Sequence, residues 1–303
     1  MRTLRDLVRP NIWALAPFSS ARDEFTGRAE VFLDANENPF ESHHNRYPDS
    51  DHRRLRAVIA DWRSIPMDQI LLGNGSDELI DMIVRTFCTP GVDEICTIAP
   101  TFGMYRVVAG INDVEYREAM LDDSFDLDVE QILSHISSTC KVLFLCTPNN
   151  PTGHSLSDDR IGQIVDRWPG IVVIDEAYID FTDQVSWVSR LSDHPRVIVL
   201  QTFSKAMGAA GLRIGMCFAS TDIISILRRI KPPYNLGAAT QENALQLLAD
   251  RHKIDRQISI VVGERKKLYE QMTRLRPFIS PFPSDSNFIL ARCEDHLKLK
   301  QYL

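Results

Sequence analysis

Apolar residues along this chain fall in short, nearly unbroken runs rather than in strict alternation. Ile70–Leu72, Ile95–Ala99, Val142–Cys146, Ile171–Ile174 and Val197–Leu200 each read as a strand covered on both faces. Between them the spacing turns helical. Leu55 to Trp62 reads as an amphipathic helix, and after Gly75 the residues Leu79, Ile80, Met82, Ile83 and Phe87 share one side of another. A further strand is predicted near Asp113–Arg117, then a polar loop leading to a helix. Ile214–Ala219 is one more strand, compatible with antiparallel pairing. Apolar strands alternating with helical stretches predict an α/β fold: a mainly parallel sheet with helices on both faces.

The two ends differ from this middle. Residues 1–28 alternate only weakly and are broken by Pro10 and Pro17, so they predict an arm with one short helix. Val31–Phe40 reads as a short strand running into a polar turn closed by Pro39. From Asp222 the pattern is helical to Lys231 and breaks at Pro232–Asn235. Over 237–275 it predicts one long helix or a broken pair, and Ser286–Arg292 a final strand. The expected organisation is an arm (1–28), a large domain (29–235) and a smaller α+β domain (236–303).

Composition narrows the class. With 303 residues, 44% of them hydrophobic, the chain can bury a large core. Its net charge of -7 contains no block of like charges, which argues against nucleic acid as the main partner. The six cysteines include no C-x-x-C pair and mostly sit in apolar runs, so buried free thiols are expected. The first residues lack an apolar signal core, and no run is long enough to span a bilayer. The expected location is the cytoplasm.

Candidate chemistry collects where strands end. Gln201–Arg213 follows a strand and carries Lys205 in a turn of small residues, with Arg213 eight positions later. A lysine that leaves water can lose its proton and form a Schiff base with an aldehyde, and an arginine can clamp a phosphate. Alone, Lys205 reads better as an exposed surface lysine. Gly73–Glu78 places two glycines before a helix, with Ser76 as the expected N-cap. Such N–H groups suit an anion, although an ordinary βα turn uses the same residues. Phe102 offers a flat face, or packs in the core. Thr147–Gly153 presents the amides of Asn149 and Asn150, and Asp175 stands where a strand leaves the sheet. His43, His44 and His52 lie in a polar loop with no other ligand at metal spacing, which reads as a solvated loop. Ligands of parallel sheets bind beyond the carboxyl ends of the strands, and Gly75, Phe102, Asn150, Asp175 and Lys205 all fall there.

These motifs, in this order, resemble the fold-type I enzymes of the aspartate aminotransferase superfamily, which depend on pyridoxal 5'-phosphate. Within it the chain is most similar to the histidinol-phosphate aminotransferase family. The segments that carry the likeness are Leu33–Pro39, Arg46–Pro48, Gly73–Glu78, Pro100–Tyr105, Asn149–Gly153, Asp175–Tyr178, Ser204–Ala206 and Gly211–Arg213. The resemblance implies that Lys205 holds the cofactor and moves the proton, that Asp175 pairs with the ring nitrogen, and that Tyr178 and Asn150 bond the ring oxygen. It implies that Phe102 stacks on the ring and that Gly75, Ser76, Asp77, Ser204 and Arg213 hold the phosphate. Tyr47 would reach the phosphate of a neighbouring subunit, which makes a homodimer part of the site.

Asn36, Phe18 and Tyr47 fall on the substrate side. Phe18 stands where the family often has a tyrosine that binds the substrate's phosphate. The family also places an arginine for the substrate's acidic group beyond the position of Leu303, so the small domain is expected to be incomplete. The implied reaction exchanges an amino group between L-histidinol phosphate and 2-oxoglutarate. Decarboxylation of a phosphorylated amino acid such as threonine phosphate, transamination of aromatic amino acids, and a non-catalytic binding module are the competing readings.

Overall fold

The runs read as strands pair into one seven-stranded sheet in a computed structural model that describes residues 2–25, 27–42, 44–275 and 279–302. In chain order its elements begin with α1 (Arg53–Arg63), β1 (Ile70–Asn74), α2 (Gly75–Phe87), β2 (Glu94–Ala99), α3 (Met104–Ile111), β3 (Glu115–Met120) and α4 (Val129–Ser134). They continue with β4 (Cys140–Cys146), α5 (Asp158–Arg167), β5 (Ile171–Asp175), β6 (Val197–Thr202), β7 (Ile214–Ala219) and α6 (Thr221–Arg228). The strand order is β1-β7-β6-β5-β4-β2-β3. Only β7 runs against its neighbours, antiparallel to both β1 and β6.

The unbroken apolar runs have a direct cause. In β4, Val142 and Phe144 enter one core cluster while Leu143 and Leu145 enter the other. In β5, Ile171 and Val173 part from Val172 and Ile174 in the same way. With both faces buried, period-two alternation disappears from the sequence.

Strand direction then fixes where the ends gather. β2, β4, β5 and β6 are mutually parallel, so Ala99, Cys146, Asp175 and Thr202 finish on one edge. Two antiparallel steps, β6 to β7 and β7 to β1, return the end of β1 to that edge. Arg213, just before β7, lies there too.

Several expectations need correction. The arm forms three four-residue helical turns rather than one helix: Leu4–Leu7, Pro10–Trp13 and Ala21–Glu24. Leu7, Val8 and Ile12 sink into the core beside α2, so the first part is packed rather than loose. Val31–Leu33 is not a strand. Val31 and Leu33 are 71% and 89% exposed, and the segment is held instead by Arg22, which pairs with Asp34 and Glu37. His44 is exposed and His43 lies outside the described residues, but His52 is 1% exposed. The loop is therefore not wholly solvated: it buries its last histidine at the start of α1.

The C-terminal part holds a broken helix pair, α7 (Ala238–Ala249) and α8 (Arg251–Thr273), then β8 (Ile279–Pro281), β9 (Ala291–Cys293) and α9 (His296–Tyr302). The last strand starts later than expected. The hydroxyls of Ser284 and Ser286 bond each other and turn the chain back on itself, and Phe288 O accepts from Ser284 at 2.5 Å. The same segment leans on the β4 side: Asp285 N–H donates to Gly153 O at 2.7 Å, and Arg265 Nη1 donates to Ser286 O at 2.7 Å.

Candidate active site

A cavity of about 170 Å³ opens at the shared strand edge. Ser76 and Asp77 come to it from α2, Phe102 from the turn after β2, Asn150 from the turn after β4, and Asp175 and Tyr178 from the end of β5. Ser204, Lys205 and Arg213 come from the loop joining β6 to β7. Residues from 76 to 213 thus meet because β2, β4, β5 and β6 end at one edge, where β1 also ends and β7 begins.

The floor is acidic and dry. Asp175 is 2% exposed, and its Oδ2 accepts from the Tyr105 hydroxyl at 2.7 Å while Oδ1 accepts from Ala177 N–H at 3.1 Å. Burial pushes its carboxyl above the usual range, and the two hydrogen bonds pull it back by favouring the anion. Tyr178 is buried, and its hydroxyl accepts from Asn150 Nδ2 at 3.3 Å. Burial pushes the Tyr178 phenol up to about 12, so it stays protonated near neutrality. The turn behind Asn150 is braced by buried Asn149, which donates to Pro100 O at 2.9 Å and accepts from Thr101 at 2.9 Å. That pair of bonds ties the Phe102 turn to the Asn150 turn.

The opposite end is built for a charge. α2 starts at Gly75 with φ of 76°, and its N-cap is Asn74 rather than Ser76. Asn74 donates its side chain to Asn235 O instead of capping, and Glu78 Oε2 accepts from the Asn74 N–H at 2.5 Å. Ser76 stands inside that turn, and the Gly75 N–H before it donates to Arg213 O at 2.8 Å. Arg213, in the left-handed region, donates from Nη2 to Asp77 Oδ2 at 3.0 Å. A methyl group on Gly75 would lie 2.5 Å from that Nη2, and one on Gly215 would lie within 2.5 Å of the Gly75 carbonyl and Ser76 N. Two bare α-carbons let the arginine, the helix start and β7 crowd together.

Lys205 departs from expectation. It is exposed on the rim rather than withdrawn from water, with Nζ 5.5 Å from the centre of the Tyr178 ring. The reason is local: the turn leaves the sheet edge at Ser204, and its apolar anchors Ala206 and Met207 point back into the core. Tyr47, Phe18 and Asn36 do not line this chain's own cavity. Tyr47 stacks on Tyr234 with centroids 4.6 Å apart, Phe18 meets the same ring edge-on at 6.5 Å, and Asn36 is exposed with φ of 51°. Thr202, Cys146 and Tyr105 are site neighbours that sequence reasoning assigned no part. Thr202 ends its strand and Cys146 ends another, so the strand-end rule was signal enough for both; Tyr105 sits inside a helix and gave none.

Residues 29–303 match the model of the family Aminotransferase class I and II. The chain belongs to that family. It is 51% identical to a histidinol-phosphate aminotransferase of Parabacteroides distasonis over 96% of this chain and 84% of that protein. It is 47% identical to one of Bacteroides fragilis over 100% of this chain and 88% of that protein. Among solved structures, the histidinol-phosphate aminotransferase of Clostridium acetobutylicum superposes with a TM-score of 0.76 at 24% identity, covering 84% of this chain and 79% of that one. That of Sinorhizobium meliloti, solved in complex with pyridoxal-5'-phosphate, gives 0.77 at 22% identity over 84% and 70%. These structures share the fold of this aminotransferase. Among its described residues, no helix is long and apolar enough to cross a membrane.

Proposed function

We propose that this aminotransferase exchanges an amino group between L-histidinol phosphate and 2-oxoglutarate, with pyridoxal 5'-phosphate as cofactor. The names of relatives at 44–51% identity support histidinol phosphate as the substrate. The observation that carries the cofactor is a buried acid, Asp175, and an amine, Lys205, lining one cavity with a cation, Arg213, and the first turn of α2 at its end.

The donor set matches the ligand group by group. When bound, pyridoxal 5'-phosphate supplies a conjugated ring that takes up electron density from the substrate's α-carbon. Asp175, ionised, holds a proton on the ring nitrogen. Tyr178 and Asn150 would offer a hydroxyl and an amide to the ring oxygen, and Phe102 would pack on the ring. Arg213, Ser204 and Ser76 would receive the phosphate, while Asp77 fixes the guanidinium. Lys205 would hold the cofactor through its amine and would carry a proton to and from the substrate carbon. Its place on the open rim suits an amine that must swing away and return. Tyr47, half-exposed, would reach the phosphate of a second copy, and Phe18 and Asn36 would face substrate there.

The test is direct. Purified protein is expected to take up pyridoxal 5'-phosphate in a form that borohydride traps on Lys205, and Lys205→Ala to abolish trapping. Turnover of L-histidinol phosphate should require 2-oxoglutarate. Release of carbon dioxide from threonine phosphate, without transamination, would favour a decarboxylase instead.

A further inference from the structure

We propose that Tyr105 is a positioning residue of this site: its hydroxyl keeps Asp175 ionised and aimed, and its ring seats Phe102. The inference rests on the cofactor reading above, since it concerns the acid assigned to the ring nitrogen. Tyr105 lies in the first turn of α3 and is fully buried. One face stacks on Phe144 of β4, with centroids 4.7 Å apart and planes 21° apart. Phe102, three residues earlier, meets the same ring edge-on at 5.7 Å and 87°. The hydroxyl donates to Asp175 Oδ2 at 2.7 Å.

A phenylalanine would fill this space without burying a polar atom, so packing alone does not account for the hydroxyl. What accounts for it is the carboxylate. The bonds on Asp175 come from a phenol and a backbone N–H rather than from a cation. The other titratable groups facing it are Asp77 from α2, Cys146 at the end of β4, Tyr178 after β5 and Lys205 after β6. Asp77 opposes ionisation, Lys205 favours it from the rim, and Cys146 and Tyr178 are neutral, their own ionisation suppressed by burial. Tyr105 is the side chain in hydrogen-bond contact. A donor to the charged form of a buried acid favours that form.

Tyr105→Phe keeps both ring contacts and removes one hydroxyl. In cofactor-free protein, the Asp175 carboxyl can be followed by infrared difference spectroscopy against Asp175→Asn. Its titration is expected to move up by about 1–2 pH units in Tyr105→Phe. In the loaded enzyme, kcat should fall on the order of 10-fold with KM for the amino donor nearly unchanged, because the lost bond serves the ring and not substrate binding. An unmoved titration would overturn the proposal. If Tyr105→Phe does not fold, 3-fluorotyrosine at 105, a more acidic donor of nearly the same shape, should move the titration down, and no movement again overturns it. Wild-type protein that takes up no pyridoxal 5'-phosphate would defeat the cofactor reading instead, while leaving the titration to be judged separately.

Discussion

Arg213 and Gly75 hold each other in place twice. Gly75 N–H donates to Arg213 O at 2.8 Å, and the Arg213 guanidinium passes so close to the Gly75 α-carbon that no side chain fits between them. The backbone bond sets where α2 begins relative to β7. The side-chain approach puts the cation beside the first turn of the same helix. One contact thus couples a fold decision, the start of a helix, to a chemical one, the collection of positive charge at a single point.

Arg213→Ala is expected to weaken cofactor binding far more than it weakens the fold. Its guanidinium is half-exposed, and its ion pair to Asp77 is a surface pair that contributes little to stability. A bidentate grip on a phosphate is different, and losing it should cost about 2–4 kcal/mol of pyridoxal 5'-phosphate affinity. Titration of cofactor into the two proteins, alongside their thermal melts, checks both halves. Equal retention would contradict the assignment.

Alanine at Gly75 and at Gly215 should fail in different ways. At Gly75 the new methyl meets the far end of a flexible arginine, which can move, while the backbone stays at φ of 76°. The fold should lose about 1–2 kcal/mol from the left-handed backbone, and the phosphate grip should suffer more. At Gly215 the methyl meets backbone of Gly75 and Ser76 at 2.4–2.5 Å. Strand β7 and α2 must separate, so soluble yield and melting temperature should fall first. The same order of damage in both variants would show that the arginine cannot yield.

Much of this arrangement was readable before any coordinates. Runs such as Val142–Cys146 and Ile171–Ile174 mark a doubly covered sheet because only such strands lose their polar alternation. Once their direction is assumed, Asp175 and Lys205 must share an edge. What escaped was decided by partners rather than by pattern. Val31–Leu33 has strand composition but pairs with no strand among the described residues, and Arg22 claims its neighbours instead. Tyr105 is 70 residues from Asp175, and nothing in Met104–Ile111 signals which way one phenol points. Asn74 displaced Ser76 as N-cap because a glycine that can adopt positive φ lets the helix start two residues earlier.

His52 predicts a pH dependence of the fold that has nothing to do with the cofactor. It begins α1 with φ of 52°, is buried, and its Nε2 has no hydrogen-bond partner among the described residues. Burial, helped by the nearby Lys231 charge and opposed by Asp49 and Asp51, holds its pKa down to about 4. The folded protein therefore refuses a proton that the unfolded chain accepts below its ordinary value near 6.5. Stability should fall as pH drops through that window and level off below about 4, by up to about 3 kcal/mol for this one group. His52→Asn accepts the left-handed backbone and removes the titration. Denaturant unfolding of both proteins from about pH 7 to pH 4 should show wild type losing stability relative to the variant as acid is added. A constant difference across that range would mean that the imidazole is protonated in the folded state as readily as in the unfolded one.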